Sequence, residues 1–181
     1  MKKCLICREE FKPFVDFGRM PIANAFSTQQ ELKNEYFFSM RVGFCSNCNM
    51  VQLLEQPDRE KMFHDSYAFF SSTSNHMMNH FKKFANSIIT IQNLAEKSFV
   101  VEIGSNDGIM LQNFLSKNIP CLGVEPSKNV AHVSMEKGID VITEFFDRPL
   151  AEDILKNYQK ADAILSANVM CHIPYIHSIY E

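Results

Sequence analysis

Four of the six cysteines fall as Cys4-Leu-Ile-Cys7 and Cys45-Ser-Asn-Cys48, and this spacing constrains the fold of the 181-residue chain more than any other feature. A two-residue gap lets both sulfurs of one tight turn face a single ion. Two such turns supply the soft tetrahedral donor set that closes a zinc site. A disulfide framework would need an oxidising compartment, and the lysines at the N-terminus are not followed by the apolar stretch of a secretion signal. The remaining cysteines, Cys121 and Cys171, stand alone in apolar segments. Four protein ligands leave zinc no open position, so a structural site is expected. The 37 residues between Cys7 and Cys45 exceed the loop of a compact zinc ribbon and must fold as a small domain. Residues 40–44 and 50–54 read as short strands flanking the second pair, the hairpin of a zinc knuckle. His76 and His80, four apart on a helical segment, are a competing metal pair. Met77 and Phe81 beside them favour ordinary packing.

Zinc knuckles often bind nucleic acid, and charge weighs against that here. Residues 1–70 carry nine Lys/Arg and nine Asp/Glu with no basic stripe. The whole chain has a formal net charge of −3, with no global pull toward nucleic acid or an anionic membrane. No apolar run approaches the roughly 18 residues of a membrane span. A cytoplasmic protein is the expectation.

The texture changes along the chain. From 76 to 94 apolar residues recur at helical spacing, with Met77, Phe81, Phe84, Ile88, Ile91 and Leu94 on one face. Ser74 is the predicted cap, and Lys82, Lys83 and Asn86 fall on the wet side. Beyond Lys97, strand-length apolar segments at 98–103, 121–125, 139–143 and 162–167 alternate with helical stretches at 109–117, 127–137 and 149–158. That alternation predicts a parallel sheet with right-handed crossovers. The predicted division is a zinc-binding domain over 1–74, a connecting helix over 75–97, and an α/β domain from 98 to 181.

The strand at 98–103 runs into Glu102-Ile103-Gly104-Ser105-Asn106-Asp107-Gly108. Glycine in such a turn lets the backbone approach a ligand closely. The dinucleotide fingerprint GxGxxG is broken, because Asn106 stands at its second glycine. What remains is the ExGxxxG form of class I methyltransferases, where the loop wraps the amino-acid end of S-adenosylmethionine. About twenty residues on, Gly123-Val124-Glu125-Pro126 puts a carboxylate at a strand end, where it can accept both ribose hydroxyls. After the third strand, Phe146 of the Phe145-Phe146 pair is the candidate for adenine packing, with two core phenylalanines as the competing reading. The fourth strand leads into Asn168-Val169-Met170-Cys171-His172-Ile173-Pro174. Carboxyl ends of strands in open α/β sheets are where ligands bind, which favours a functional His172 over a structural one.

Taken in order, several stretches resemble the three-domain, zinc-containing C-methyltransferases of nucleotide-linked 4-keto deoxysugars. They are Pro21-Ile22-Ala23-Asn24-Ala25, both cysteine pairs, Asp65-Ser66-Tyr67 with Ser71-Ser72-Thr73-Ser74, residues 101–108, residues 123–126 and residues 168–174. The resemblance implies a zinc domain joined by a long helix to a Rossmann-like class I domain, here incomplete with four parallel strands. It also implies zinc on Cys4, Cys7, Cys45 and Cys48. The cofactor contacts it implies are Glu102, Gly104, Asn106, Asp107, Gly108, Glu125, Phe146 and Asn168. In that chemistry a proton is removed beside the sugar ketone and the enolate attacks the cofactor methyl. The resemblance places Tyr67 and His172 in the sugar pocket as hydrogen-bonding or proton-handling groups. Tyr67 would come from the zinc half, brought over the sheet by the long helix with residues 71–74 as hinge. The family's Tyr/Glu/His cluster lies further downstream than Glu181. The expectation is therefore an incomplete form, or one whose remainder a second chain supplies, with the fourth strand left as an open edge. An inactive zinc- and cofactor-binding remnant and a sugar O-methyltransferase are the alternatives.

Overall fold

A computed structural model describes residues 2–23 and 25–180. Asn24, within the 21–25 stretch singled out above, lies outside the described residues, as do the two terminal positions. The chain forms two compact units. One comprises the described residues of 1–63 and 173–181, the other His64–His172.

The first unit is built on a three-stranded antiparallel sheet in the order β1-β2-β3, with β1 at Lys12–Pro21, β2 at Phe37–Phe44 and β3 at Val51–Leu53. The β2-β3 hairpin carries the second cysteine pair in its turn, as the spacing predicts. Strand β1 was not foreseen. Its register against β2 slips between Pro13 and Val15 and between Asp16 and Arg19, around Gly18 at φ +74. Phe14 and Phe17 are exposed, so no clean alternation marks it as a strand. The buried centre is small, comprising Cys4, Phe11, Cys45 and Leu54 with Cys7 and Cys48 packed against them. A side chain at Gly43 would run into the Phe11 ring, so glycine lets β2 close onto this centre. Helix α1 (Arg59–Met62) follows, capped by the Asp58 carboxylate, which accepts the Glu60 amide at 3.0 Å. Residues 173–180, ending in helix α6 (His177–Tyr180), return to this unit. There the Arg59 guanidinium donates to the Tyr175 hydroxyl at 2.8 Å.

The second unit is a doubly covered parallel sheet. Its strands are β4 (Val100–Ile103), β5 (Cys121–Val124), β6 (Asp140–Ile142) and β7 (Ala163–Ser166), in the order β6-β5-β4-β7. Val100 aligns with Cys121 on one side and Ala163 on the other, and the register runs without slip to Ile103. Helices α3 (Gln112–Leu115), α4 (Lys128–Glu136) and α5 (Arg148–Asn157) connect the strands. On one face Val100 and Leu165 pack with Phe81, Ala85, Met110, Leu111 and Phe114. On the other, Val101, Leu122 and Val124 pack with Leu150 and Ile154 of α5. This strand order and layering are Rossmann-like.

Helix α2 (Asn75–Ile91) is capped by Ser74, whose hydroxyl accepts the Met77 amide at 3.3 Å. Its apolar face is rotated from the predicted one. Phe81, Ala85, Met77, Met78, Ile88 and Ile89 meet the sheet core, while Phe84 and Ile91 are 41% and 68% exposed. The helix is thus part of the second unit's core rather than a free connector. The first unit's opening segment ends at residue 63, short of the expected 74, and residues 65–72 bond to α4 and to the glycine turn of the second unit. At the other end, 173–180 belongs with the first unit, held by the Arg59–Tyr175 bond.

Candidate metal centre and cofactor site

The two cysteine turns of the first unit are built alike. Cys4 donates its amide to the Glu9 carbonyl and Cys45 to that of Met50, while the amides of Arg8 and Asn49 return to the carbonyls of Cys4 and Cys45. Arg8 (φ +64) and Asn49 (φ +60), each one residue past its second cysteine, take the left-handed conformation that turns the chain back. All four sulfurs lie within 4.8 Å of one another, with Cys4 to Cys48 at 3.6 Å and Cys7 to Cys45 at 3.5 Å. A tetrahedron of thiolates about 2.3 Å from zinc has edges of about 3.8 Å, so the donor set and spacing fit the ion.

The surroundings also prepare thiolates. Burial pushes Cys4 up, but the amides of Cys7 and Ile6 and the Cys48 and Gln52 side chains outweigh it and bring the thiol down to about 6. The Asn47 side chain and then the Glu9 amide lower Cys7. At Cys48 the Met50 amide acts downward, yet burial and the three neighbouring thiols carry it up to about 12. Four crowded sulfurs cannot all ionise without a cation between them. Sequence spacing did not reveal Gln52, a buried side chain whose oxygen accepts the Leu5 amide at 2.9 Å and so pins the first turn to β3.

In the second unit the strand order reverses between β4 and β7, and the crevice outside the carboxyl ends there is the ligand site expected of such sheets. Gly104, at φ +67, begins the turn after β4. A Cβ on it would strike the Val169 side chain, so the segment following β7 lies against this turn. Asn168, at φ +57 and exposed, precedes Val169. Glu125, just past β5, is only 5% exposed. Its Oε2 accepts the Asn106 amide at 3.0 Å and its Oε1 the Ser127 amide at 2.9 Å. Burial pushes this carboxyl up, and those two amides pull it partly back. Glu102, in mid-strand, is buried and raised well above the usual carboxylate range by burial, then by the charges of Glu125 and Asp107. Its Oε2 and the Asp107 Oδ1 are buried without a hydrogen-bond partner among the described residues, as are the hydroxyls of Ser105 and Ser127. Orphaned polar atoms beside a glycine turn fit a polar ligand.

Tyr67 sits in this unit, not in the zinc unit. Burial raises its hydroxyl, and the charge of Glu125 raises it further. Asn129 of α4 donates to the Tyr67 carbonyl at 2.7 Å. His172 is exposed at the end of a short 3-10 turn, Met170–His172, three residues past Val169. Phe146 is half-buried and packs on the Val101–Leu150 cluster. Gly108, at φ +75, ends the turn, with Ser134 of α4 against it.

Residues 4–63 match the family described as "Putative zinc binding domain" of the methyltransferase-13 type. The matched segment is about a third of the chain. The four clustered sulfurs lie within it. The chain is also 26% identical over 179 residues to the C-methyltransferase NovU of Streptomyces niveus, an alignment covering 98% of this chain. The chain spans 42% of the length of that relative. Among the described residues, no helix is long and apolar enough to cross a membrane.

Proposed function

We propose that this chain is part of an S-adenosylmethionine-dependent methyltransferase that methylates carbon in a nucleotide-linked 4-keto deoxysugar, with the zinc purely structural. The observation that carries the reading is the convergence of the Gly104 turn on Glu125, through the Asn106 amide at 3.0 Å. Similarity to a protein named a C-methyltransferase supports it. When bound, the cofactor supplies an electrophilic methyl group. Each Glu125 oxygen already holds one backbone amide and keeps lone pairs for ribose hydroxyls. Gly104, with no side chain, lets the turn come close to the ligand's amino-acid end. Asn168 and Phe146 border the site from the segments following β7 and β6.

Burial and the Glu125 charge hold Tyr67 protonated at neutral pH, so it serves as a hydrogen-bond donor to the sugar rather than as a base. Proton handling falls to His172 on the open side. The expected partner is the nucleotide sugar, with a second chain as the source of further site residues and no nucleic acid. Free thiols suit the reducing cytoplasm.

Calorimetry with S-adenosylhomocysteine tests the cofactor reading, and the absence of any binding heat rejects it. A methyl-transfer assay with a 4-keto sugar nucleotide tests the rest. It is run on this chain and on a form extended to the relative's length. Cofactor binding without transfer in either form would favour the inactive remnant.

A further inference from the structure

We propose that Asn106 and Asp107 are positioning residues: they clamp a strap formed by residues 65–73 across the glycine turn, and act on the cofactor site through that strap instead of touching the ligand. The inference rests on the cofactor reading above and deepens it. Both ends of the Asn106 side chain are engaged, Oδ1 accepting the Ser71 amide at 2.9 Å and Nδ2 donating to the Phe69 carbonyl at 3.0 Å. The neighbouring Asp107 Oδ2 accepts the Ser72 amide at 2.8 Å. Two consecutive side chains thus hold three strap backbone groups, so the bonds do not depend on the strap's own side chains, proline at 71 or 72 excepted. Asp107 is 1% exposed and its Oδ2 is committed to the strap; the unpartnered Oδ1 is the one atom left for a ligand, and the asparagine variant below tests it.

Lys137, at the end of α4, ties the parts together. Its ammonium donates to the Ser72 hydroxyl at 3.1 Å and to the Asp107 carbonyl. The strap is fastened upstream as well, by Asn129 on the Tyr67 carbonyl and by an exposed Lys128–Asp65 pair at 2.9 Å. Tyr67 therefore sits on a segment whose downstream anchor is the glycine turn itself. Asn106 also gives its backbone amide to Glu125. A single residue so links the Glu125 carboxylate, the turn and the strap. Asn106 stands at φ +49, a conformation asparagine tolerates better than most side chains.

The test compares Asp107→Ala, Asp107→Asn and Asn106→Ala in the full chain. Amide exchange at Ser71 and Ser72 and S-adenosylhomocysteine affinity are read together. Asp107→Ala should speed exchange at Ser72 and weaken binding, each on the order of tenfold. Asp107→Asn keeps the acceptor and loses the charge, so it should restore both to near wild-type. Asn106→Ala should expose the Ser71 amide and carries the same test if Asp107→Ala does not fold. The proposal is overturned if Asp107→Asn binds as weakly as Asp107→Ala while Ser72 stays protected, because the carboxylate would then be a direct ligand. Unchanged exchange in both alanine variants overturns it equally. A wild-type chain that binds no S-adenosylhomocysteine rejects the cofactor reading alone, and the clamp then stands or falls on exchange.

Discussion

At the scale of single residues, charge without a partner dominates the chemistry. Glu102 has a raised pKa in the folded chain, so its contribution to stability is full below its unfolded value near 4.5. That contribution drains away as pH rises through the folded value. Each unit of upward shift costs about 1.4 kcal/mol at high pH. Glu102→Gln should therefore match wild-type in thermal unfolding near pH 4 and exceed it increasingly toward pH 8. Parallel pH profiles for the two proteins would contradict the burial argument. Glu125→Ala should leave ribose hydroxyls unpaired and cost roughly 1–3 kcal/mol of S-adenosylhomocysteine binding by calorimetry. Cys45→Ser should lower the bound zinc and destabilise the first unit, because a centre of so few apolar side chains leans on its metal. Undiminished zinc in that variant would remove Cys45 from the ligand set.

Among the elements, the corrected face of α2 gives the sharpest contrast. Phe81→Ala empties a packed position and should cost about 3–5 kcal/mol in denaturant unfolding. Phe84→Ala and Ile91→Ala should stay within about 0.5 kcal/mol of wild-type. The sequence pattern placed all three on one face, since a 3.6-residue period tolerates a rotated stripe when phenylalanine and isoleucine lie on both borders. The central parallel strands, β4 and β5, were legible because both their faces are buried, which leaves short uninterrupted apolar runs. The cysteine turns were legible for a different reason: covalent spacing fixes them before packing does. Strand β1 was not legible, because its bulges break the alternation and its aromatics face outward. In the sequence, residues 71–74 read as a hinge and not as part of a strap. Its bonds run from backbone to the side chains of Asn106 and Asp107, and no periodicity records those.

For the whole molecule, the division of labour is itself testable. Every candidate cofactor residue lies within 64–172 and every metal ligand within the first unit. Zinc removal by a chelator should therefore melt the first unit while S-adenosylhomocysteine still binds. Joint loss of both would mean that the units fold as one. Strand β7 closes one side of the sheet order, with Ile164 63% exposed on it. An open edge with apolar exposure invites strand-to-strand association. Ile164→Lys should lower concentration-dependent self-association in sedimentation without weakening cofactor binding.

The return of residues 173–180 to Arg59 makes the zinc unit discontinuous, with the whole parallel-sheet unit spliced into it. A single proteolytic nick near residue 63 would not release the zinc unit, which stays tethered through its tail. The order of synthesis is affected too. At about 5–20 residues per second, the ribosome delivers all of 64–172 before the segment that finishes the zinc unit emerges. The unit whose synthesis starts first is finished only after the inserted residues have emerged, and until then its metal site waits in a half-built host.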